Sequence, residues 1–555
     1  KPASQSGWVA YDLFGQDIRK FVNYTFSSDI EALEIGESQK TQLVTTKETI
    51  DAVITLVENY KYRLSVPTAQ ATLAATWLRD LSDSYIEFEP DLSKRLPGPI
   101  GVVETNAKPY TTKDTATVEN LKPYYIGISD GAGDSLPEFE WKEQESTVIR
   151  RTPLYETHKK LGAKLIPFAG WEMPVWYTSV LEEHLATRKA AGLFDVAHMG
   201  VYQAEGPDAV VFLDSVCAND IGSLEVGESL YTHLLTQDAD VVDDLMVYRR
   251  REEKFLIVVN ASNDDKDWAW LNAVREGKVL IDRKRPWAKA FGRNVILRNL
   301  RDPKEGKDMR IDIALQGQKS REILLAMGCD GETRKRIMAL KRTDLCEAVV
   351  GGIDLVVSRT GYTGEKMAFE LFVHPDNAVE LWNSLMKIGE PLGLKPIGLG
   401  ARDSLRTEFG LPLYGHEMSG ELNLGVSEAH FGFYVKTYKP WFIGRDAYIA
   451  RESTRKGIVV RFRFVEKRTR MAHTGDPVLD NRGKVIGKVT SCAIDGDGML
   501  TGQAFVDLKY AEENTQIFIF QSASKTPGKA PAELEIGNKA DVPNEATVIS
   551  RFARL

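Results

Sequence analysis

Apolar positions recur three and four apart over Gly15–Tyr24 and again over Gly206–Cys217, and both runs open on Gly-x-Asp. That spacing predicts two helices. Lys254–Val259 (KFLIVV) is a short, β-branched apolar run, which predicts a strand. Ser262–Val274 predicts a helix with Trp268, Leu271 and Val274 on one side. Beyond residue 430 come short strand-like runs broken by turns: GIVVRFRF, DNRGKVIGKVT and TQIFIFQ. They predict a terminal β-rich domain. Helices and strands are mixed rather than strictly alternating, so the fold class is α+β.

One phrase occurs twice. DIEALEIGES at Asp29–Ser38 and DIGSLEVGES at Asp220–Ser229 share seven of ten residues. GQDIRKFV lies over GPDAVVFL at the same offset of 191. YRLSVPTA lies over KFLIVVNA with a shift of one residue, and Trp77-Leu78 over Trp270-Leu271 with one more. A drift of this size is what small loop insertions produce. Residues 8–95 and 199–285 therefore read as two copies of one module. Residues 106–150 are rich in Gly, Pro, Ser and acids in their second half, and read as a linker or surface arm.

At 555 residues, a prior of ~150 per domain predicts three to four domains. The net charge of −8 argues against a nucleic-acid binder, which needs a concentrated cationic face. Short basic clusters such as RKRP read as solvated faces. No run approaches ~18 apolar residues, so no membrane-spanning helix is expected. The chain opens on KPASQSGWVAYD, without Met or an apolar signal core, and is expected to work in the cytoplasm, or in an organelle matrix if a leader has been trimmed. Four scattered Cys without a C-x-x-C pair predict no disulfides, and no His/Cys spacing suggests a metal site.

Candidate chemistry then rests on carboxylates and Arg. Asp243-Asp244 joins an acidic, turn-like stretch to the apolar run LMVY; a carboxylate there can be partly desolvated and stabilise a developing cation, or can be a solvated turn. GYTGE (Gly361–Glu365) is a tight turn that can present Glu365 to heterocycle N–H groups, or a plain hairpin turn. GLGARDSLR enters a helix, and its Arg402 can clamp a carboxylate or pair locally with Asp403. His198-Met199 reads as packed, and Asn260 as a ligand donor or a strand stop.

These pieces fall in a recognisable order: RTPLYETHKKLGAKLIPFAGWEMPVWY, EEHLATRKAAGLFDVAHMG, LYTHLL, DDLMVY, IVVNAS, SRTGYTGE, GLGARDSLR and LPLYGHEM. Together they resemble the glycine-cleavage T-protein (aminomethyltransferase) family over about residues 151–525. The resemblance implies a three-domain cloverleaf, two α+β domains and a C-terminal β-barrel-like domain, around a central tetrahydrofolate. Domain one is expected at 151–198 and 306–424, domain two at 199–305 and the β-rich domain at 425–555. Residues 1–105 are then an added, degenerate duplicate of domain two, and 106–150 the linker. The implied reaction moves a one-carbon unit from the aminomethyl-lipoyl H-protein carrier to tetrahydrofolate, with release of ammonia. The implied roles are Asp244 as the catalytic carboxylate, Glu365 on the pterin, Met199, Tyr231, Val258 and Asn260 in the pocket wall, and Arg402 as an electrostatic contact.

Two other readings keep the same fold: a folate-dependent N-, O- or S-demethylase, and a non-catalytic folate-binding regulatory protein. The family's usual Gly-Gly before this Asp is Ala239-Asp240, its usual Gly after GYTGE is Ala368, and Cys492 interrupts its usual Thr-Ser-Gly. Laid on the first copy, Tyr231 falls on Lys40, Met199 on Trp8, Asn260 on Thr68, and Asp244 on Val53 or Ala52. The first copy is thus expected to keep the scaffold and lose every polar group of the site.

Overall fold

The computed structural model describes residues 7–112, 120–129, 131, 133–143, 148–521 and 530–553. The N-terminal unit is an antiparallel sheet whose neighbours run Ser38–Val44, Thr49–Glu58, Lys61–Pro67, Trp8–Phe14 and Gly101–Thr105. A second unit repeats that order with Ser229–Leu235, Val241–Arg251, Lys254–Val259, Gly200–Glu205 and Ile296–Asn299. The helices repeat as well: Ile18–Thr25 and Ala71–Ser82 in the first, Ala209–Val216 and Asp264–Arg275 in the second. Both first helices begin just after the Gly-x-Asp turn. Gly15 (φ +142°) and Gly206 (φ +104°) hold backbone that side-chain-bearing residues rarely adopt. The turn therefore needs Gly. The twice-written phrase is a 3₁₀ turn leading into an edge strand in each unit, Ile30–Ala32 into Ser38–Val44 and Ile221–Ser223 into Ser229–Leu235.

Strand pairing corrects the residue correspondence. Gln42 faces Asp51 as His233 faces Asp244. Gln42 lies over His233 at offset 191, so Asp51 lies over Asp244 at offset 193; neither Val53 nor Ala52 does. Pro67, not Thr68, then lies over Asn260, because Val66 and Val259 pair with Val9 and Gly200 in turn. Both extra residues sit in one place, the hairpin turn before Val241 and the bulge at Leu234/Leu235. The offset therefore changes once, rather than in two separate steps.

Two smaller expectations also change. Asp243 and Asp244 lie inside the strand Val241–Arg251 rather than at its mouth, because the turn ends at Asp240. The buried face of Asp264–Arg275 carries Asp267, Trp270, Leu271 and Val274, at helical spacing, while Trp268 is half-buried.

A short stretch of the predicted linker is built into the fold. Residues 121–127 read LKPYYIG, and residues 438–444 read YKPWFIG. Lys122 Nζ donates to Asn23 O (3.0 Å) and Phe26 O (2.9 Å) at the end of Ile18–Thr25. Lys439 Nζ donates to Asp214 O (2.6 Å), Cys217 O (2.7 Å) and Asn219 O (2.8 Å) at the end of Ala209–Val216. A cation satisfies the orphan carbonyls of a helix C-terminus and complements its dipole. Ile126 N donates to Tyr24 O as Ile443 N donates to Ser215 O. Residues 113–119, 130, 132 and 144–147 of the predicted linker lie outside the described residues.

The two units pack through their helices into one hydrophobic core that holds Phe21, Val22, Tyr24, Phe212, Leu213 and Phe291. Ion pairs line the seam: Arg19 with Asp208 (2.6 Å) and Lys20 with Asp214 (3.1 Å). Glu31 accepts from Arg293 N (2.8 Å) and Gly292 N. A third, six-stranded sheet runs Leu345–Val350, Ile353–Ser358, Ala368–Val373, Ile311–Gln316, Ala191–Asp195 and Leu394–Ile397; only the last pair is parallel. The C-terminal part closes into a six-stranded barrel between Gly457–Phe464 and Asn544–Ile549, as its strand-like runs predict. Among the described residues no helix is long and apolar enough to cross a membrane.

Candidate functional site

A cavity of about 800 Å³ opens where the outer face of the second unit meets the third sheet and the 411–434 connection. That volume lies within the range of small-molecule sites. Period-two alternation sends Tyr231, Asp244, Met246, Val258 and Asn260 to this face, while Leu245, Val247, Ile257 and Val259 enter the core behind. All seven residues singled out from the sequence line this one cavity: Met199, Tyr231, Asp244, Val258, Asn260, Glu365 and Arg402.

Asp244 is 8% exposed. Its Oδ2 accepts from the Tyr231 hydroxyl at 2.8 Å and its Oδ1 from Asn260 Nδ2 at 2.9 Å. Burial, then the neighbouring Asp243 charge, pushes its carboxyl up to about 7, against the two hydrogen bonds that favour the anion. Asp243 points to the other side of the strand and accepts from Asn260 N (3.0 Å), Asn260 Nδ2 (2.9 Å) and Asn263 Nδ2 (2.6 Å). Behind it, burial and the Asp243 charge hold Asp267 well above the ordinary carboxylate range. Asn260 thus clasps both members of the Asp pair, a role that its position as a possible strand stop did not reveal.

Glu365 sits in the turn between Ile353–Ser358 and Ala368–Val373, with Gly364 at φ +82° and packed against the Phe409 ring. Arg402 lies in the first turn of Leu399–Phe409 and forms no ion pair among the described residues; burial lowers its pKa. Its predicted alternative partner, Asp403, pairs with Arg406 instead (2.6 Å). His198 is fully buried with neither ring nitrogen hydrogen-bonded among the described residues, and burial, then the Arg402 charge, lowers it to about 3. It stands in the wall as a neutral imidazole.

Sequence reasoning missed much of the wall. Ile166, Phe168, Phe431 and Tyr434 supply apolar and aromatic surface, and Arg342, Arg359 and Lys366 give a basic patch. Ile166, Phe168 and Arg359 lie inside the quoted motifs and Lys366 follows GYTGE, but none carried a signal that set it apart from its neighbours. The departures from the family pattern at Ala239, Asp240 and Ala368 fall away from the cavity or fit within it. Ala239 takes φ +64°. That is left-handed backbone, better suited to Gly. Asp240 pairs with Arg451 (3.3 Å). Ala368 lines the cavity as one more small apolar group.

The arrangement offers a buried carboxylate with two donors on it, a second carboxylate lining the same cavity, and cations in its wall. It suits a flat heterocycle bearing N–H donors, with an anionic tail, beside a centre that develops positive charge.

Residues 154–439 match the model of the GCVT N-terminal domain. An aminomethyltransferase of Symbiobacterium thermophilum is 43% identical over 352 residues, which cover 62% of this chain and 85% of the relative. One from Alkaliphilus oremlandii is 38% identical over 388 residues, 67% of this chain and 94% of the relative. The crystal structure of the glycine cleavage system aminomethyltransferase T from Bartonella henselae superposes with a TM-score of 0.57 at 30% identity, over 72% of this chain and 97% of that one.

Proposed function

We propose the following reaction for this chain, which belongs to the glycine-cleavage aminomethyltransferase family: an aminomethyl group carried on the lipoyl arm of an H-protein gives its carbon to tetrahydrofolate, forming 5,10-methylene-tetrahydrofolate, and ammonia leaves. Bound tetrahydrofolate supplies the two nitrogens that take the carbon. The observation that carries the reading is Asp244, a buried carboxylate fixed by Tyr231 and Asn260 on the wall of a cavity of about 800 Å³.

The residues present fit a reduced folate. Phe168, Met199, Val258 and Tyr434 offer apolar surface to the ring system. Glu365 accepts from the N–H edge of the pterin. Arg342, Arg359 and Lys366 complement an acidic tail. Asp244, as the carboxylate, orients the amine and offsets the positive charge that develops as the carbon–nitrogen bond to ammonia breaks. The two N–H protons that folate gives up on taking the carbon go to the departing ammonia and to the lipoyl sulfur. The lipoyl thiol is freed as the carbon leaves it.

The domain division follows the family: domain one at 151–198 and 306–424, domain two at 199–305, and the barrel domain at 425–555. The N-terminal unit, together with residues 121–127, is a copy of domain two and its lysine anchor, without the cavity. Ammonia release from aminomethylated, lipoylated H-protein and tetrahydrofolate tests the reaction. No release rejects it, and turnover of an N-, O- or S-methyl donor in its place moves the assignment to a demethylase.

A further inference from the structure

Glu365 reaches the cavity, but what holds it lies behind the wall. Arg188, in the last turn of Val180–Lys189, is not a cavity residue, and its side chain is 12% exposed. All three nitrogens of its guanidinium are engaged. Nη1 donates to Glu365 Oε1 (2.7 Å) and to Thr363 O (2.8 Å). Nε and Nη2 both meet Glu408 Oε2 (2.8 and 2.6 Å), and Nη2 also donates to Leu405 O (3.3 Å). Glu408 is itself fixed from two further directions. Its Oε1 accepts from Gly496 N of the barrel (2.8 Å), and its Oε2 meets His184 Nε2 (3.0 Å). His184 Nδ1 pairs with Ser404 Oγ (2.8 Å). The chain of contacts therefore runs from the barrel through Glu408 and Arg188 to one oxygen of Glu365. The other oxygen, Oε2, has no partner among the described residues.

We propose that Arg188 is a positioning residue for ligand recognition. It pins Oε1 of Glu365, so that Oε2 is left as a single, oriented acceptor for an N–H edge of the bound heterocycle. A buried ion pair adds little stability by comparison with apolar packing of the same volume, so a saturated one behind a cavity carboxylate is better explained by orientation. Lys cannot take the role, because one ammonium cannot fork between two carboxylates and two carbonyls. The inference rests on the folate reading of the cavity.

Equilibrium binding of tetrahydrofolate to the full chain, followed by intrinsic fluorescence beside a thermal unfolding scan, tests it. The variants are Glu365→Gln, Arg188→Gln, their double, and Arg188→Lys. Arg188→Gln is expected to weaken binding about 10-fold. The double variant is expected to bind no worse than the weaker single, because both changes remove one oriented acceptor. Arg188→Lys is expected to unfold near the wild-type temperature and still bind weakly. Multiplying losses in the double variant, or wild-type affinity in Arg188→Gln or Arg188→Lys, overturns the inference alone. Absence of folate binding by the wild type overturns the proposed function and this inference with it. If Arg188→Gln does not fold, Arg188→Lys and its double with Glu365→Gln complete the same cycle.

Discussion

The two N-terminal units use one scaffold and differ in what lies against it. Strand order, helix placement, the Gly turn and the lysine on the first helix are repeated. Even the aspartate is repeated: Asp51 holds the position of Asp244. Yet Asp51 is exposed and accepts from Gln42 Nε2 at 3.0 Å across the hairpin, whereas Asp244 is buried and accepts from Tyr231 and Asn260. Lys40 and Pro67 occupy the places of those two partners. The third sheet and the 411–434 connection cover the face in the second unit. A site is therefore made by burial and by its neighbours, not by a carboxylate at the right register.

The largest expected effect follows from that contrast. Asp244→Asn keeps the shape of the wall and removes the charge, and is expected to lower the rate of ammonia release by at least ~10²-fold while folate still binds. Asp51→Asn is expected to leave the rate unchanged, and a comparable loss there would break the comparison. The pH profile sharpens it. With Asp244 held near 7, kcat/KM is expected to rise with pH through about 7 and then level. A carboxyl raised on folding contributes stability that is present below its unfolded value of 3.8 and lost as pH rises through about 7. The active anion therefore forms at a cost to the fold.

How much of this is visible along the chain depends on distance. The repeated decamer and its constant offset are local, and they exposed the shared scaffold. The bulge at Leu234/Leu235 is not visible as composition, so the drift was read as two later steps and Asp51 was missed. LKPYYIG and YKPWFIG are only seven residues each and stand far apart, with a whole sheet inserted between the second unit and its lysine. The seven site residues belong to contiguous family motifs, and all of them line the one cavity. Arg188, Glu408 and Gly496 do not adjoin Glu365 in sequence, and only the folded chain brings them together.

The lysines test the repeated scaffold itself. Lys439→Met strands three helix-end carbonyls and leaves the Asp214 charge with less compensation. A loss of about 3 kcal/mol is expected in denaturant unfolding. Lys122→Met strands two carbonyls, and burial already lowers that lysine to about 7, so its charge matters less. The expected loss is smaller, about 2 kcal/mol. Equal losses would mean that the two anchors do the same work, and that the units differ only at their outer faces.

The smallest effect concerns one side chain at the seam. Glu31 fills its side of the seam, while Gly222, its counterpart at offset 191, has no side chain and leaves room that Lys20 Nζ occupies. Burial, opposed by the Arg293 charge, pushes the Glu31 carboxyl up to about 7. The sign is that of a raised acid: its contribution to stability is intact below its unfolded value of 4.5 and falls as pH rises through about 7. Glu31→Gln removes that titration. Its unfolding free energy is therefore expected to hold up better than wild type's as pH rises through that window, by up to about 3 kcal/mol. The gain is partly cancelled by the loss of the carboxylate beside Arg293, so the net difference above the window is expected to be about 1 kcal/mol. A wild-type pH profile that Glu31→Gln reproduces would show that Arg293 keeps this carboxylate ionised throughout.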